Sequence, residues 1–228
     1  MNNIGNVEEL YNANHTQWSR NEKTSLSDFT ARPKVFELLG NLKGKTIADL
    51  GCGEGYCSRN FLKQGASKVI GVDISEEMIS LAKKSITLEH ANIIKYFKSN
   101  LAQKIPDEVY SADIYCSIFM FNYMTISETV SVLKKIKEKS LVSNPRLVFT
   151  LPHPFMPFMS DVKYPFYFET HGEDYFEAEG LELFGSIYTT TGGELLVRNV
   201  HKTFESIINA LSSTGWQIRS LQEIRVTE

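Results

Sequence analysis

The chain is short of cysteine, of basic charge and of long apolar runs, and each shortage narrows what it can be. Its three cysteines, Cys52, Cys57 and Cys116, are odd in number and fall inside expected core elements, which suits reduced thiols rather than a disulfide framework. No Cys/His spacing suggests structural zinc, so no metal is expected. The longest apolar-leaning stretch, Ile114 to Met124, is too short to cross a bilayer. Met1-Asn-Asn-Ile has neither the basic nor the apolar region of a secretory leader, so a cytoplasmic protein without a membrane partner is expected. Lys and Arg total 24 against 27 acids, for a net charge of −3. That balance disfavours nucleic acid as a partner, because such binding rests mainly on neutralising phosphates.

What is present is enough apolar material, 42% of 228 residues, to bury one sizeable core. The most informative stretch is 46–55, Thr-Ile-Ala-Asp-Leu-Gly-Cys-Gly-Glu-Gly, an apolar strand running into three glycines at alternate positions. Such a loop takes positive φ without a Cβ penalty and lets a ligand approach the main chain. Lys68-Val-Ile-Gly-Val-Asp73 reads as a second buried strand that ends in a carboxylate, 22 residues after Gly51. Strand, glycine turn, helix, strand and acid make a ribose-reading βαβ unit. A dinucleotide fingerprint would need a third glycine where Tyr56 stands. Asp49, just ahead of the loop, would repel a pyrophosphate and attract an ammonium, which fits S-adenosylmethionine. Asp73 can accept hydrogen bonds from two ribose hydroxyls in either kind of cofactor.

Ala48-Asp-Leu-Gly-Cys-Gly-Glu-Gly55 followed by Gly71-Val-Asp-Ile-Ser-Glu-Glu-Met78 resembles the first two motifs of class I S-adenosylmethionine-dependent methyltransferases. More loosely, nearly the whole chain is similar to small-molecule methyltransferases that read His-[Arg/Lys]-Thr, a helix, then Gly-aromatic, here His201-Lys-Thr203 and Gly215-Trp216. The resemblance implies S-adenosylmethionine as cofactor and S-adenosylhomocysteine as product. It implies backbone contact from Gly51, Cys52 and Gly53 to the methionine part, Asp73 on the ribose, and Ile74 and Met78 flanking adenine. Asn100 with Leu101 stands where the family often has an acid for the adenine amine. Arg32 would meet the methionine carboxylate and Tyr11 would cover the cofactor, the alternatives being a surface arginine and a packing tyrosine.

The spacing predicts strands at 46–50, 68–73, 93–98, 113–119 and 146–151, with helices at 55–64, 75–89 and 126–140. Alternation of this kind means a Rossmann-like, doubly wound, mostly parallel α/β sheet. Residues 1–40 read as an N-terminal helical cap within a single domain, 1–228. After the fifth strand, 152–200 breaks the rhythm with Pro152, Pro154, Pro157 and Pro165 and then strand-like runs, a β-rich inserted lid. It holds ten of the 26 aromatics, and eight acids against Lys163 and Arg198, so it can wall an apolar or cationic substrate. Its aromatics equally suit the core of a small antiparallel sheet. A helix over 202–214 and a strand over 216–226 close the chain. Only Thr227 and Glu228 remain for the seventh, antiparallel strand that the resemblance implies, so either the insertion supplies a substitute or, as the unpaired edge favours, the natural chain is expected to continue past Glu228.

Ligands in such sheets lie outside the carboxyl ends of the strands, which gathers Asp49, Asp73, Asn100 and Ser117 on one rim. Asp49 alternatively ties down amides of its own loop. Methyl transfer needs alignment above all, with a base where the acceptor is a phenol, alcohol or ammonium. His153, in Leu-Pro-His-Pro after the fifth strand, and His201, before the last helix, are the candidates. The expected activity moves a methyl group to oxygen or nitrogen of a small metabolite, aromatic or amine-bearing. Competing readings are a nucleic-acid or carrier-bound acceptor, and a non-catalytic protein that binds S-adenosylmethionine.

Overall fold

The computed structural model describes residues 6–18 (backbone alone for 16–18), 23, 25–159, 166–189 and 192–224. Three helices come first, α1 (Val7–Trp18), α2 (Leu26–Phe29) and α3 (Ala31–Leu39). The alternating core follows as β1 (Thr46–Leu50), α4 (Tyr56–Lys63), β2 (Lys68–Asp73), α5 (Glu76–Lys84), β3 (Ile94–Lys98), β4 (Ile114–Ile118), α6 (Ile126–Lys139) and β5 (Arg146–Thr150). Their order in the sheet is β3-β2-β1-β4-β5. β1 runs parallel to β2 (Ala48↔Ile70, Leu50↔Val72) and to β4 (Leu50↔Ser117). The central strands are apolar almost throughout because helices cover both faces of a parallel sheet. Ile47, Leu50, Val69, Ile70, Val72 and Ile114 are accordingly buried. Because β2 and β3 lie to one side of β1 and β4 and β5 to the other, the sheet switches direction between β1 and β4. This is where doubly wound sheets receive ligands.

The insertion after β5 is β-rich, as its alternating pattern implied. A second, antiparallel sheet has the order β6-β7-β8, from β6 (Phe166–Phe168), β7 (Glu182–Tyr188) and β8 (Glu194–Val200). Gly185 in β7 is required by packing, since a Cβ there would lie 2.8 Å from the Tyr167 carbonyl carbon on β6. Helix α7 (Phe204–Ser213) then starts on Thr203, whose hydroxyl accepts the Ser206 amide.

Two boundaries differ from the sequence reading. The helix expected over 75–89 ends at Lys84, with a short 3₁₀ turn at Leu88–His90. The strand expected from Trp216 is irregular through Ile224. Trp216 anchors it by donating Nε1–H to the Leu133 carbonyl at 3.1 Å, but beyond that Ile218, Leu221 and Ile224 are exposed. Beyond Ile218 the apolar residues lose the two-residue period, and none of the described residues pairs with this segment as a strand.

The chain forms two compact units. The first comprises Met1–Asn21, Glu37–Ile118 and Glu138–Phe149, and the second comprises Glu22–Phe36, Phe119–Lys137 and Thr150–Glu228.

Candidate functional site

In the first unit β1 opens into the glycine loop, where Gly51, Gly53 and Gly55 all have positive φ (76°, 55° and 83°). Four of the loop's five amides, those of Gly51, Cys52, Gly53 and Gly55, are committed within the protein. Gly51 and Cys52 both donate to the Val72 carbonyl, at 2.8 and 3.0 Å, and Gly55 donates to Cys52 at 3.0 Å. Gly53 donates to Asp73 Oδ2 at 2.8 Å. A phosphate cradle needs free N–H groups, so this loop is a poor one. Its carbonyl edge suits the ammonium of a methionine moiety instead. Glycine at 55 also lets the buried Tyr96 ring approach, since a Cβ there would lie 2.9 Å from Tyr96 Cζ.

Asp73 ends β2 and ties two elements together. Oδ2 takes the Gly53 amide and Oδ1 takes the Ser75 amide at 2.9 Å. Each carboxylate oxygen keeps a second lone pair, enough to receive two ribose hydroxyls. Burial raises the Asp73 pKa, and hydrogen bonds from the Ser75, Gly53 and Ile74 amides counter part of that rise. Ser75 caps α5 by accepting the Met78 amide at 3.1 Å and donates to Asn12 Oδ1 at 2.6 Å. Helix α1 is thereby pinned to the start of α5, with Lys98 and Glu8 adding an ion pair at 2.9 Å. Tyr11, next to Asn12, stands half-buried on that helix.

The remaining candidates of this unit vary in how free their polar groups are. Asp49 is buried and accepts the Ser58 hydroxyl at 2.5 Å, so it anchors α4. Cys52 is buried, and desolvation followed by the charges of Asp73 and Asp49 raises its thiol pKa well above the ordinary value. Asn100 uses Oδ1 on the Ala102 amide at 3.0 Å, a local turn that leaves one lone pair. Ile74 is half-buried, Met78 and Leu101 are buried, and the Ser117 hydroxyl at the end of β4 is buried with no partner among the described residues.

Arg32, His153 and His201 belong to the second unit. Arg32 bonds Ser27 and forms an ion pair with the buried Asp28 at 2.9 Å, so its guanidinium is partly committed. His153 has both nitrogens occupied, because Nδ1 accepts the Phe155 amide at 3.2 Å and Nε2 lies 2.7 Å from Glu223 Oε1. His201 is fully buried, edge-on to Phe158 and Tyr175 at centroid distances of 4.9 and 5.3 Å. Its Nε2 faces the Tyr175 carbonyl at 2.8 Å and must therefore carry the proton, which leaves Nδ1 as an acceptor without a partner among the described residues. Burial lowers its pKa, favouring the neutral ring.

Sequence reasoning did not single out Asn12, Ser58, Asn122 or Lys202 as site residues. Asn12 and Ser58 carry no local signal, because their partners lie 63 and 9 residues away. Lys202 did sit in a motif, but a lysine is expected at the surface. Here it is 5% exposed.

Residues 47–139 match the model of a family described as "Methyltransferase domain". An uncharacterized protein of Haemophilus influenzae is 36% identical over 159 residues, 65% of this chain and 56% of that protein. Shorter matches include a ribosomal protein L11 methyltransferase of Lactobacillus gasseri, 39% identical over 67 residues (29% of this chain, 21% of that protein). Another is a ubiquinone biosynthesis O-methyltransferase of Nitrosomonas europaea, 40% identical over 64 residues (28% and 26%). The matches thus span about half or less of the length of these curated relatives. Two solved structures share the fold. An S-adenosylmethionine-dependent methyltransferase from Mesorhizobium loti has a TM-score of 0.58 at 21% identity, covering 82% of this chain and 81% of that one. Magnesium protoporphyrin IX methyltransferase from Synechocystis, with bound S-adenosylhomocysteine, has a TM-score of 0.60 at 19% identity, covering 94% and 89%. Residues 47–139 are thus similar to a methyltransferase domain, and the fold is the one seen in these two solved methyltransferases.

Proposed function

We propose that the protein transfers the methyl group of S-adenosylmethionine to an oxygen or nitrogen of a small metabolite. The observation that carries the cofactor half is the glycine loop with four of its five amides committed, beside an Asp73 whose two oxygens are fixed yet retain lone pairs. When bound, the cofactor supplies a methyl on a sulfonium. The chain's own work is to hold and align. Gly51, Cys52 and Gly53 offer main-chain contact, Asp73 receives the ribose hydroxyls, Ile74 and Met78 flank adenine, and Asn100 with Leu101 meets its amine. Tyr11, Asp49 and Ser117 complete the rim, and Arg32 is the candidate for the methionine carboxylate.

Of the two histidines, His201 fits the role of base better, since a neutral ring with an unshared Nδ1 lone pair can take a proton. His153 would first have to release the Phe155 amide. The acceptor half rests on composition. From Tyr164 to Val197 the chain holds seven acids and no Lys or Arg among its aromatics, which favours an aromatic or amine-bearing molecule. The ribosomal protein methyltransferase among the relatives supports a protein acceptor as the second reading.

Calorimetry with S-adenosylmethionine and NAD tests the first half: binding of NAD alone refutes it. Methyl incorporation into a panel of aromatic amines and phenols, against bulk protein and nucleic acid, tests the second. Incorporation into bulk protein alone would establish the second reading.

A further inference from the structure

The turn that follows β4 is held in an unusual way within the second unit. Phe119 has φ of 55°, a left-handed conformation that costs an ordinary side chain about 1–2 kcal/mol. Such strain persists only where the surroundings enforce it. On one side the Phe119 amide donates to the Thr150 carbonyl at 3.2 Å and to its hydroxyl at 3.3 Å. On the other, the Lys202 ammonium donates to the Phe121 carbonyl at 3.1 Å and to the Val200 carbonyl at 2.9 Å. The Lys202 side chain thus joins the end of β8 to a turn 81 residues earlier in the chain.

A buried ammonium is expensive unless a carboxylate pairs with it. Lys202 forms no ion pair among the described residues. Glu179 and Glu128 act on it only through longer-range attraction, and the neighbouring His201 is kept neutral by burial. A structural filler would not need the charge, because an apolar side chain of similar volume would fill the space at lower cost. What the charge adds is a strong hydrogen bond to a main-chain carbonyl of the turn. The turn also carries Asn122, which is 4% exposed and whose Oδ1 has no partner among the described residues.

We propose that Lys202 is a positioning residue, whose buried ammonium clamps the turn Phe119–Tyr123 through the Phe121 carbonyl and so fixes Asn122 for the methyl acceptor. Only the last clause rests on the methyl-transfer reading. Turns at the carboxyl ends of sheet strands are where ligands are met, so an ordered turn here removes an ordering cost from binding.

Hydrogen–deuterium exchange on the full chain tests the clamp, in wild type, Lys202→Met and Lys202→Arg, from pH 6.5 to 9.5 with the intrinsic exchange rate divided out. In Lys202→Met the amides of Phe119, Tyr123 and Met124 should exchange about tenfold faster, the equivalent of one lost charge-assisted hydrogen bond. Lys202→Arg should restore protection. In wild type, protection should rise as the pH passes about 8, where burial has brought the Lys202 pKa, because the lysine freed on opening still binds its proton there, and Lys202→Arg should show no such rise. Unchanged protection in Lys202→Met overturns the proposal. So does loss of protection spread evenly over the second unit, or a turn insensitive to pH in the wild type. Calorimetry with S-adenosylhomocysteine on the same three proteins should give affinities within twofold of one another. Absence of binding in the wild type would refute the methyl-transfer reading and leave the exchange result to judge the clamp.

Discussion

Replacing Asp73 by alanine removes the group on which the glycine loop and the start of α5 converge, and on which the proposed function places the ribose. Within the protein, the Gly53 and Ser75 amides lose their acceptors, which sit at 2.8 and 2.9 Å. Hydrogen bonds to a charged group contribute about 1.5–3 kcal/mol each, but the carboxylate is itself costly to bury, so the net loss of folding stability is about 1–2 kcal/mol. Cofactor binding has no such offset. Two ribose hydroxyls losing a carboxylate weaken binding by about 3–4 kcal/mol, or about 10²- to 10³-fold. Asp73→Asn falls between, because its carbonyl can keep the Ser75 amide while its NH₂ is turned against the Gly53 amide. The assay is calorimetry with S-adenosylhomocysteine, with circular dichroism to show that the fold is kept. The wild-type pH dependence adds a second reading. Since burial raises the Asp73 pKa, affinity should begin to fall at a higher pH than an ordinary carboxylate would give. Asp73→Ala binding within threefold of wild type would refute the reasoning.

Lys202→Met should show a crossed pH response. A lysine pKa lowered to about 8 in the folded chain binds fewer protons than the unfolded one, so wild-type stability should rise between about pH 8 and 10.5, by about 3 kcal/mol, and Lys202→Met should lose that rise in chemical denaturation. His201, buried neutral with a lowered pKa, should make stability fall as the pH drops below the ordinary histidine value, and His201→Asn should flatten that slope in the same titration. Once an acceptor is found, His201→Asn should lower the methylation rate about 10²-fold, while His153→Ala should change it less than threefold in a steady-state assay. Gly71→Ala would place a Cβ 2.6 Å from Tyr96 Cε1 and 3.0 Å from Cys52 Sγ, and such overpacking should cost about 1–3 kcal/mol, read as a fall in melting temperature of roughly 3–10 °C.

The parallel sheet was legible because its strands are buried on both faces and its connections are helices, so apolar runs and 3.6-residue periodicity point the same way. Asp73 was legible for a related reason. A carboxylate at the end of a buried strand, followed by the capping Ser75, has its position fixed by local sequence alone. The strand expected from Trp216 shows where such reasoning fails, since Ile218, Leu221 and Ile224 are spaced by three rather than two, and a strand exists only with a neighbour, which is set by the whole sheet. Lys202 fails in the opposite sense. Nothing in His-Lys-Thr says that the lysine turns inward, because its reason for doing so is the Phe121 carbonyl, 81 residues away and beside a strained Phe119. The cofactor side of the proposed function is thus encoded mostly within two short motifs, 48–55 and 71–78. Its proposed acceptor side rests on contacts between distant segments of the second unit, which is why one half of that reading follows from residue order and the other has to be read from the fold.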